Sequence, residues 1–377
     1  MSNLLNMIVN GAIRVSVVLI VLLIFATSCN NINYEKEHFY IGTYTDGSSK
    51  GIYFSSINPI NGKIDSPILA YEMKNPSFLT ISICGDYLFA VSEKDDINAD
   101  LFSFKINHNS GELYLIDSIS TNGRGACYVE ELKDGLVGVA HYNSGDVAFV
   151  LHKNGVFEEE NIQQFIFEGG SINESRQETS HIHCVVADNQ NQFAYVADLG
   201  RDKIEIFDIQ SNIIKHIDNF STELGAGPRL VAFHPHNNQM AVINELNGTL
   251  SFYEKDSNSL FIKPIKDIKL SESRTDSWAA DVKFTSQGKN IYASERADNK
   301  IYVFAVNDYE VGRLGEVTEE INVPRSFVLT EDDNYLIIAN QEGGSLVSYS
   351  LEKNGVVGKL LNKVEVDKPV SIVFKNK

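Results

Sequence analysis

The sequence of 377 residues lacks most of the marks of several large protein classes. It carries four cysteines, Cys29, Cys84, Cys127 and Cys184, spaced 43 to 57 residues apart. With no CxxC pair, neither a zinc ribbon nor a disulfide framework is expected, and each thiol after Cys29 reads as a buried structural cysteine in a strand. Basic residues are scarce, 32 against 50 acidic ones, for a formal charge of −18. They never cluster in runs longer than two, which leaves a nucleic-acid backbone nothing to bind. There is no GxSxG elbow, no phosphate-cradling glycine loop and no calcium-loop pattern; acidic stretches such as EKDDINAD (93–100) and EDDN (331–334) read as turns. Sustained helical periodicity is also missing. With 43% hydrophobic and 22% charged residues, the chain can still build a sizeable core.

One apolar run stands out. Residues 12–26, AIRVSVVLIVLLIFA, are short for a membrane span and are followed by small residues and one cysteine, so that the stretch closes as LIFATSC with Cys29 last. This resembles a bacterial lipobox, so residues 1–28 are expected to be a signal peptide, Cys29 the lipidated residue and 29–37 a short linker. The alternative is an uncleaved N-terminal anchor. Both predict an exported protein whose only membrane contact is at its N-terminus, in the periplasm or on the outer membrane.

The remainder repeats seven times. A short apolar run ends in a polar residue at Thr43, Glu93, His141, Asp198, Asn244, Glu295 and Asn340, spaced 45 to 57 residues apart. Each run is followed by an alternating strand, such as GIYFSSI, KIEIFDI or KIYVFAV, and preceded by another, such as HCVVAD, PRLVAFH or PRSFVLT. A less regular fourth strand follows, as in GELYLIDSIS. A period near 50 suits a four-stranded propeller blade. Residues 39–73 supply three strands of one blade, and PVSIVFK at the C-terminus supplies its missing first strand. The expected fold is all-β: a seven-bladed β-propeller of antiparallel blades over residues 38–377, closed by its own C-terminal strand.

Antiparallel order brings the start of each first strand and the end of each second strand to one rim. His181 and His183 precede or begin a first strand, Arg229 and Arg325 begin two others, and Glu245 and Arg296 end two second strands; Tyr142, Lys94 and Gln341 take the matching ends elsewhere. The polar connections 169–180 and 269–278 reach the same face. Arginines beside a glutamate and histidines suit an anionic or polarised oxygen substrate, although Arg–Glu pairs also serve simply to pin blades together. Glu245 and Arg229, on adjacent strands, are placed for a mutual salt bridge. His181-x-His183 on a strand points both rings to one side, for use as a base, as a substrate ligand, as a structural pair or, with a third ligand not evident in sequence, as a metal site. His234 and His236 read as solvated at the other rim. Trp278 reads as packing between blades, with a sugar-stacking platform as the alternative.

Several segments carry a resemblance: YIGTYTDGSSKGIYFSSI, SHIHCVVAD, GAGPRLVAFHP, INELNGTLSFYE and YASERADNKIYVF. They closely resemble the seven-bladed propeller lactonase family, which includes 6-phosphogluconolactonases and a carboxymuconate-cyclising enzyme. The resemblance implies a lactone hydrolase acting on a small-molecule lactone; no metal or organic cofactor is expected, and the protein is expected to be a monomer. It implies a site made of His181 or His183, Arg229, Glu245 and Arg296, with the base left open between His181, His183 and Glu245. Two positions differ from the family pattern: His141 in an AHY turn, and Glu295, which adds a negative charge before Arg296. The rival expectations are a non-catalytic exported propeller that binds a glycan or protein, and a metal-dependent gluconolactonase.

Overall fold

The computed structural model describes residues 1, 35–96, 98, 100–271, 276–308 and 310–375. The leader and Cys29 lie outside the described residues, as does the middle of the 269–278 connection. Seven sheets follow one another along the chain. Six are built from consecutive strands, and one is completed by the C-terminal strand Pro369–Phe374, which lies against Glu37–Thr43, Gly51–Ile57 and Ile68–Glu72. That sheet is blade 1. Blades 2 to 7 begin with the innermost strands Leu79–Ile81, Ala126–Lys133, Ile182–Ala187, Pro228–Phe233, Ala279–Phe284 and Pro324–Leu329. The only helix among the described residues is a single 3₁₀ turn, Glu159–Asn161.

Hydrophobicity decides which strands lie inside. Second strands such as Gln239–Asn244 and Tyr335–Asn340 are buried on both faces, and they read as continuous apolar runs. Outer strands such as Lys215–Ser221 expose nearly every residue. Each innermost strand packs against those of both neighbouring blades, around the whole ring. The core therefore lies between blades: Phe149, Phe165 and Phe207, for example, join blades 3 and 4 with ring centroids 4.9 to 5.9 Å apart. Pairing the two chain ends in one sheet leaves no blade with an open inner edge.

A fault in the ladder recurs in the innermost strands. The register slips by one residue between Ala126 and Tyr128, Ile182 and Cys184, Pro228 and Leu230, and Pro324 and Ser326, and also between Ala279 and Val282, where Ala280 and Asp281 oppose the single residue Ser294. The unpaired residues are Cys127, His183, Arg229, Arg325 and the pair Ala280–Asp281. A β-bulge re-aims the side chain it frees. Here Cys127, His183, Arg229, Asp281 and Arg325 all reach a narrow throat along the axis.

Several expectations are corrected. The polar end of the second strand in blade 2 is Ser92, whose N–H is given to Asp100 at 2.8 Å, so Glu93, and not Lys94, matches Tyr142. Lys94 turns away toward Asp96, 3.7 Å off. Cys84 sits exposed in a turn, while Cys127 and Cys184 are buried free thiols. His234 is buried: its Nδ1 accepts the backbone N–H groups of His236 and Asn237, both at 3.1 Å, and its ring meets Phe284 edge-on. The ring closes its own turn, which keeps it out of solvent, whereas His236 is exposed.

Candidate functional site

Two rings of equivalent positions meet at one end of the axis. The first ring is the set of bulge residues. The second is the residue that follows the polar end of each second strand: Tyr44, Glu93, Tyr142, Leu199, Glu245, Arg296 and Gln341. Five of these seven, all but Leu199 and Gln341, line a cavity of about 330 Å³ together with Cys127, His183 and Arg325 from the first ring and Arg176 and Trp278 from loops. Two larger clefts, about 570 Å³ each, open on the opposite rim and are lined by turn residues such as Asp333 and Asn154.

Glu245 is the hub. It is 2% exposed and meets three arginines: Arg296 Nη2 at 2.8 Å and Arg229 Nε at 2.9 Å on Oε2, and Arg176 Nη2 at 2.5 Å on Oε1. Burial alone would raise its carboxyl, but the charges of Arg296 and Arg229 outweigh burial and hold it well below the usual carboxylate range. Gly227 makes this geometry possible. At φ +64° it accepts the Glu245 N–H at 2.7 Å and gives its own N–H to Asp202 at 2.7 Å. A Cβ there would stand 2.5 Å from Leu246 Cγ, so only glycine turns the chain correctly into Pro228-Arg229.

Arg296 is 3% exposed and gives its Nε–H to the Trp278 carbonyl at 2.9 Å, while its guanidinium lies 4.2 Å over the indole ring. Trp278, 40% exposed, is therefore a wall of the cavity and does not pack between blades. Arg229 donates from Nη1 to the Ala280 carbonyl. Glu295 faces away from the cavity: its carboxylate accepts the N–H groups of Trp278 and Ala297 at 2.8 and 3.0 Å and the Ser277 hydroxyl at 2.5 Å, and burial raises its carboxyl above the ordinary value. Its charge closes a turn and does not face the site.

The two histidines part company, because the bulge at His183 breaks the two-residue alternation that would have put both rings on one side. His183, 7% exposed, lines the cavity with its Nδ1 buried and without a hydrogen-bond partner; burial, reinforced by the charge of Arg229, lowers it well below the ordinary histidine range. His181 stands behind the wall. It gives its Nδ1–H to the Tyr142 carbonyl at 2.8 Å and stacks on the Tyr142 ring at 4.4 Å, with Glu178 3.3 Å from Nε2. Among the described residues, no three His, Cys, Asp or Glu side chains are grouped as a metal site requires.

Arg176 was not legible as a site residue, although its loop, 169–180, was. The loop is held at both ends by Asp202, which accepts Ser171 Oγ at 2.5 Å and Gln177 Nε2 at 2.7 Å. This presents Arg176 to Glu245 and to Tyr142 Oη, 3.2 Å away. Tyr44, Glu93 and Cys127 were missed as cavity residues too. The signal that finds them is register: once Ser92 is taken as the strand end, Tyr44 and Glu93 occupy the same repeat position as Glu245, and Cys127 shares the position of His183. His141 lies outside the cavity. Its Nδ1 is 2.8 Å from Asp146 and its Nε2 is 2.6 Å from Thr121 Oγ1 and 3.1 Å from Asp100, which ties blade 2 to blade 3.

The chain as a whole has recognisable relatives. A 6-phosphogluconolactonase of Bacillus subtilis is 29% identical over 344 residues, covering 89% of this chain and 97% of that protein. A 6-phosphogluconolactonase of Formosa agariphila is 28% identical, covering 87% and 96%. The crystal structure of a putative 6-phosphogluconolactonase from Bacteroides uniformis superposes with a TM-score of 0.84 at 29% identity, covering 90% of this chain and 99% of that one. The family model described as "Lactonase, 7-bladed beta-propeller" matches residues 38–374, and the chain belongs to that family.

Proposed function

We propose that this protein hydrolyses a sugar lactone, with the water activated by His183. The observation that carries the assignment of the base is the clamp on Glu245. A carboxylate held by three guanidinium groups and driven far below its ordinary pKa is a poor proton acceptor. His181 is committed to Tyr142 and is not part of the cavity wall. His183 lines the cavity as a neutral imidazole, the form a general base needs. The lactonase chemistry itself is supported by the names of the relatives.

In the reaction, His183 takes a proton from water as the oxygen bonds to the lactone carbonyl carbon. Negative charge then develops on the carbonyl oxygen, where Arg296, oriented by Glu245 and Trp278, opposes it. Collapse breaks the ring C–O bond, and the imidazolium returns its proton to the departing ring oxygen. The product is the open hydroxy acid. Glu245 acts as a positioning residue that fixes Arg229, Arg296 and Arg176. The LIFATSC leader supports an exported, lipid-anchored protein, for which an extracytoplasmic sugar lactone is a more accessible substrate than a cytosolic one. The deciding experiment measures opening of 6-phosphogluconolactone and of gluconolactone, corrected for spontaneous hydrolysis. Saturable turnover of either supports the proposal; rates equal to buffer on both refute it for this substrate class.

A further inference from the structure

The cavity contains one arginine that the Glu245 clamp does not use. Arg229 and Arg325 occupy the same bulge position, each directly after a proline, in blades 5 and 7. In blade 5 the second ring supplies Glu245 as the counter-charge. In blade 7 the equivalent residue is Gln341, whose amide N–H goes to Glu342 at 2.9 Å. Among the described residues, Arg325 makes no ion pair and its guanidinium no hydrogen bond. Its guanidinium lies 5.2 Å from the Tyr44 ring, and the Tyr44 hydroxyl is already given to Glu93 at 3.0 Å.

The charge of the cavity is unbalanced. Arg176, Arg296 and Arg325 line it against Glu93 and Glu245, and Arg229 stands behind them; Asp281, beneath, has its own cation in Lys283 at 3.4 Å. This excess of positive charge belongs to a chain whose overall charge is −18. A guanidinium keeps its charge even when buried, so an unpaired one in a cavity wall leaves a forked donor set for a carboxylate or phosphate guest. Blade 7 lies three blades around the ring of seven from blade 4, so Arg325 faces His183 across the axis.

We infer that Arg325 is the receptor for an acidic group on the substrate, carboxylate or phosphate, holding an anionic lactone with its carbonyl toward His183. This rests on the lactonase reading for the reaction, but not for the binding of the anion. The test compares the full-length wild type with Arg325→Gln and Arg325→Lys on three lactones: phosphorylated, carboxylate-bearing and neutral gluconolactones. In parallel, calorimetry measures binding of glucose 6-phosphate against glucose. Loss of charge-assisted hydrogen bonds predicts that the preference for the anionic over the neutral lactone, as a ratio of kcat/KM, falls roughly 10- to 100-fold in R325Q. The preference for glucose 6-phosphate over glucose should fall by a similar factor. R325K, charged but unable to form the fork, should lie between. The phosphorylated and carboxylate-bearing arms identify which acid is held. Wild-type protein that binds both sugars equally, or an R325Q preference equal to wild type, overturns the inference. If R325Q does not fold, R325K decides, and a wild-type preference in R325K overturns it. Absence of turnover on every lactone with Arg325-dependent sugar phosphate binding would instead reject the lactonase reading and keep the anion site.

Discussion

Replacing Glu245 by Gln keeps the size of the hub and removes its charge, leaving the guanidinium groups of Arg176, Arg229 and Arg296 around an uncharged amide. All three contacts are 2.5 to 2.9 Å, and Glu245, Arg229 and Arg296 are each less than 5% exposed. Removing one partner of a buried ion pair costs about 3–5 kcal/mol, because the remaining charge stays desolvated without compensation. An unfolding entropy of about 2.1 cal/mol/K per residue over roughly 340 residues gives about 0.7 kcal/mol/K, so Tm should fall by about 4–7 °C. Differential scanning calorimetry of the full-length protein at pH 7 and low ionic strength measures this directly. Sulfate or phosphate, by supplying counter-charge in the cavity to the uncompensated guanidinium groups, should restore part of the loss in E245Q and have a smaller effect on wild type. The pH dependence has a defined sign. The folded carboxyl is depressed, so its contribution is present above the unfolded value near 4.5 and disappears only as pH falls through the much lower folded value. The stability gap between wild type and E245Q should therefore be flat from pH 8 to 5. A Tm for E245Q equal to or above that of wild type would show that the arginines are solvated independently and that Glu245 does not organise the site.

Two other perturbations probe groups with distinct roles. His183→Asn should lower kcat by roughly 10²- to 10⁴-fold, as expected on removal of a general base; because burial and Arg229 push His183 down, the acid limb of the wild-type kcat/KM profile should lie below pH 6.5, and an acid limb above that value would refute the assignment. His141, fully buried between Asp100 and Asp146, would be lowered by burial, but its two carboxylate partners raise it to about 9. A raised histidine stabilises fully below the unfolded value near 6.5, and the contribution fades as pH rises through about 9, for a total of about 3 kcal/mol. Chemical denaturation at pH 6.5 and pH 9.5 should show this loss in wild type and not in His141→Asn; parallel pH slopes in the two proteins would refute it.

Much of the site was legible because the chain repeats. The period near 50, the apolar runs of the second strands and the alternation of the third strands point to seven blades, and the split of blade 1 follows from three strands at one end and a lone PVSIVFK at the other. Glu245, Arg229, Arg296 and His183 are visible in the sequence as polar residues at the strand starts and strand ends that share one rim. The errors have local causes. Taking Glu93 as a strand end shifted blade 2 by one residue and hid the equivalence of Glu93 with Glu245. Strict alternation makes His181 and His183 a same-side pair, and the bulge between Ile182 and Cys184 separates them. A large aromatic is usually buried, which points Trp278 to the packing between blades, yet it stacks on Arg296 at the cavity wall.

What the sequence determined by itself is the architecture, because alternation, turn residues and a fixed period are local properties repeated often enough to be unambiguous. What the tertiary structure decided is which charges are spent and which remain. Arg176, Arg229 and Arg296 are 53 to 120 residues apart along the chain and converge on one carboxylate only once the ring closes. Arg325, the same residue at the same bulge, is left unpaired by a single amide in place of a carboxylate at Gln341. Coulombic pairing falls off within a few ångströms and depends on burial, so neither composition nor spacing fixes it; the closed ring of blades does.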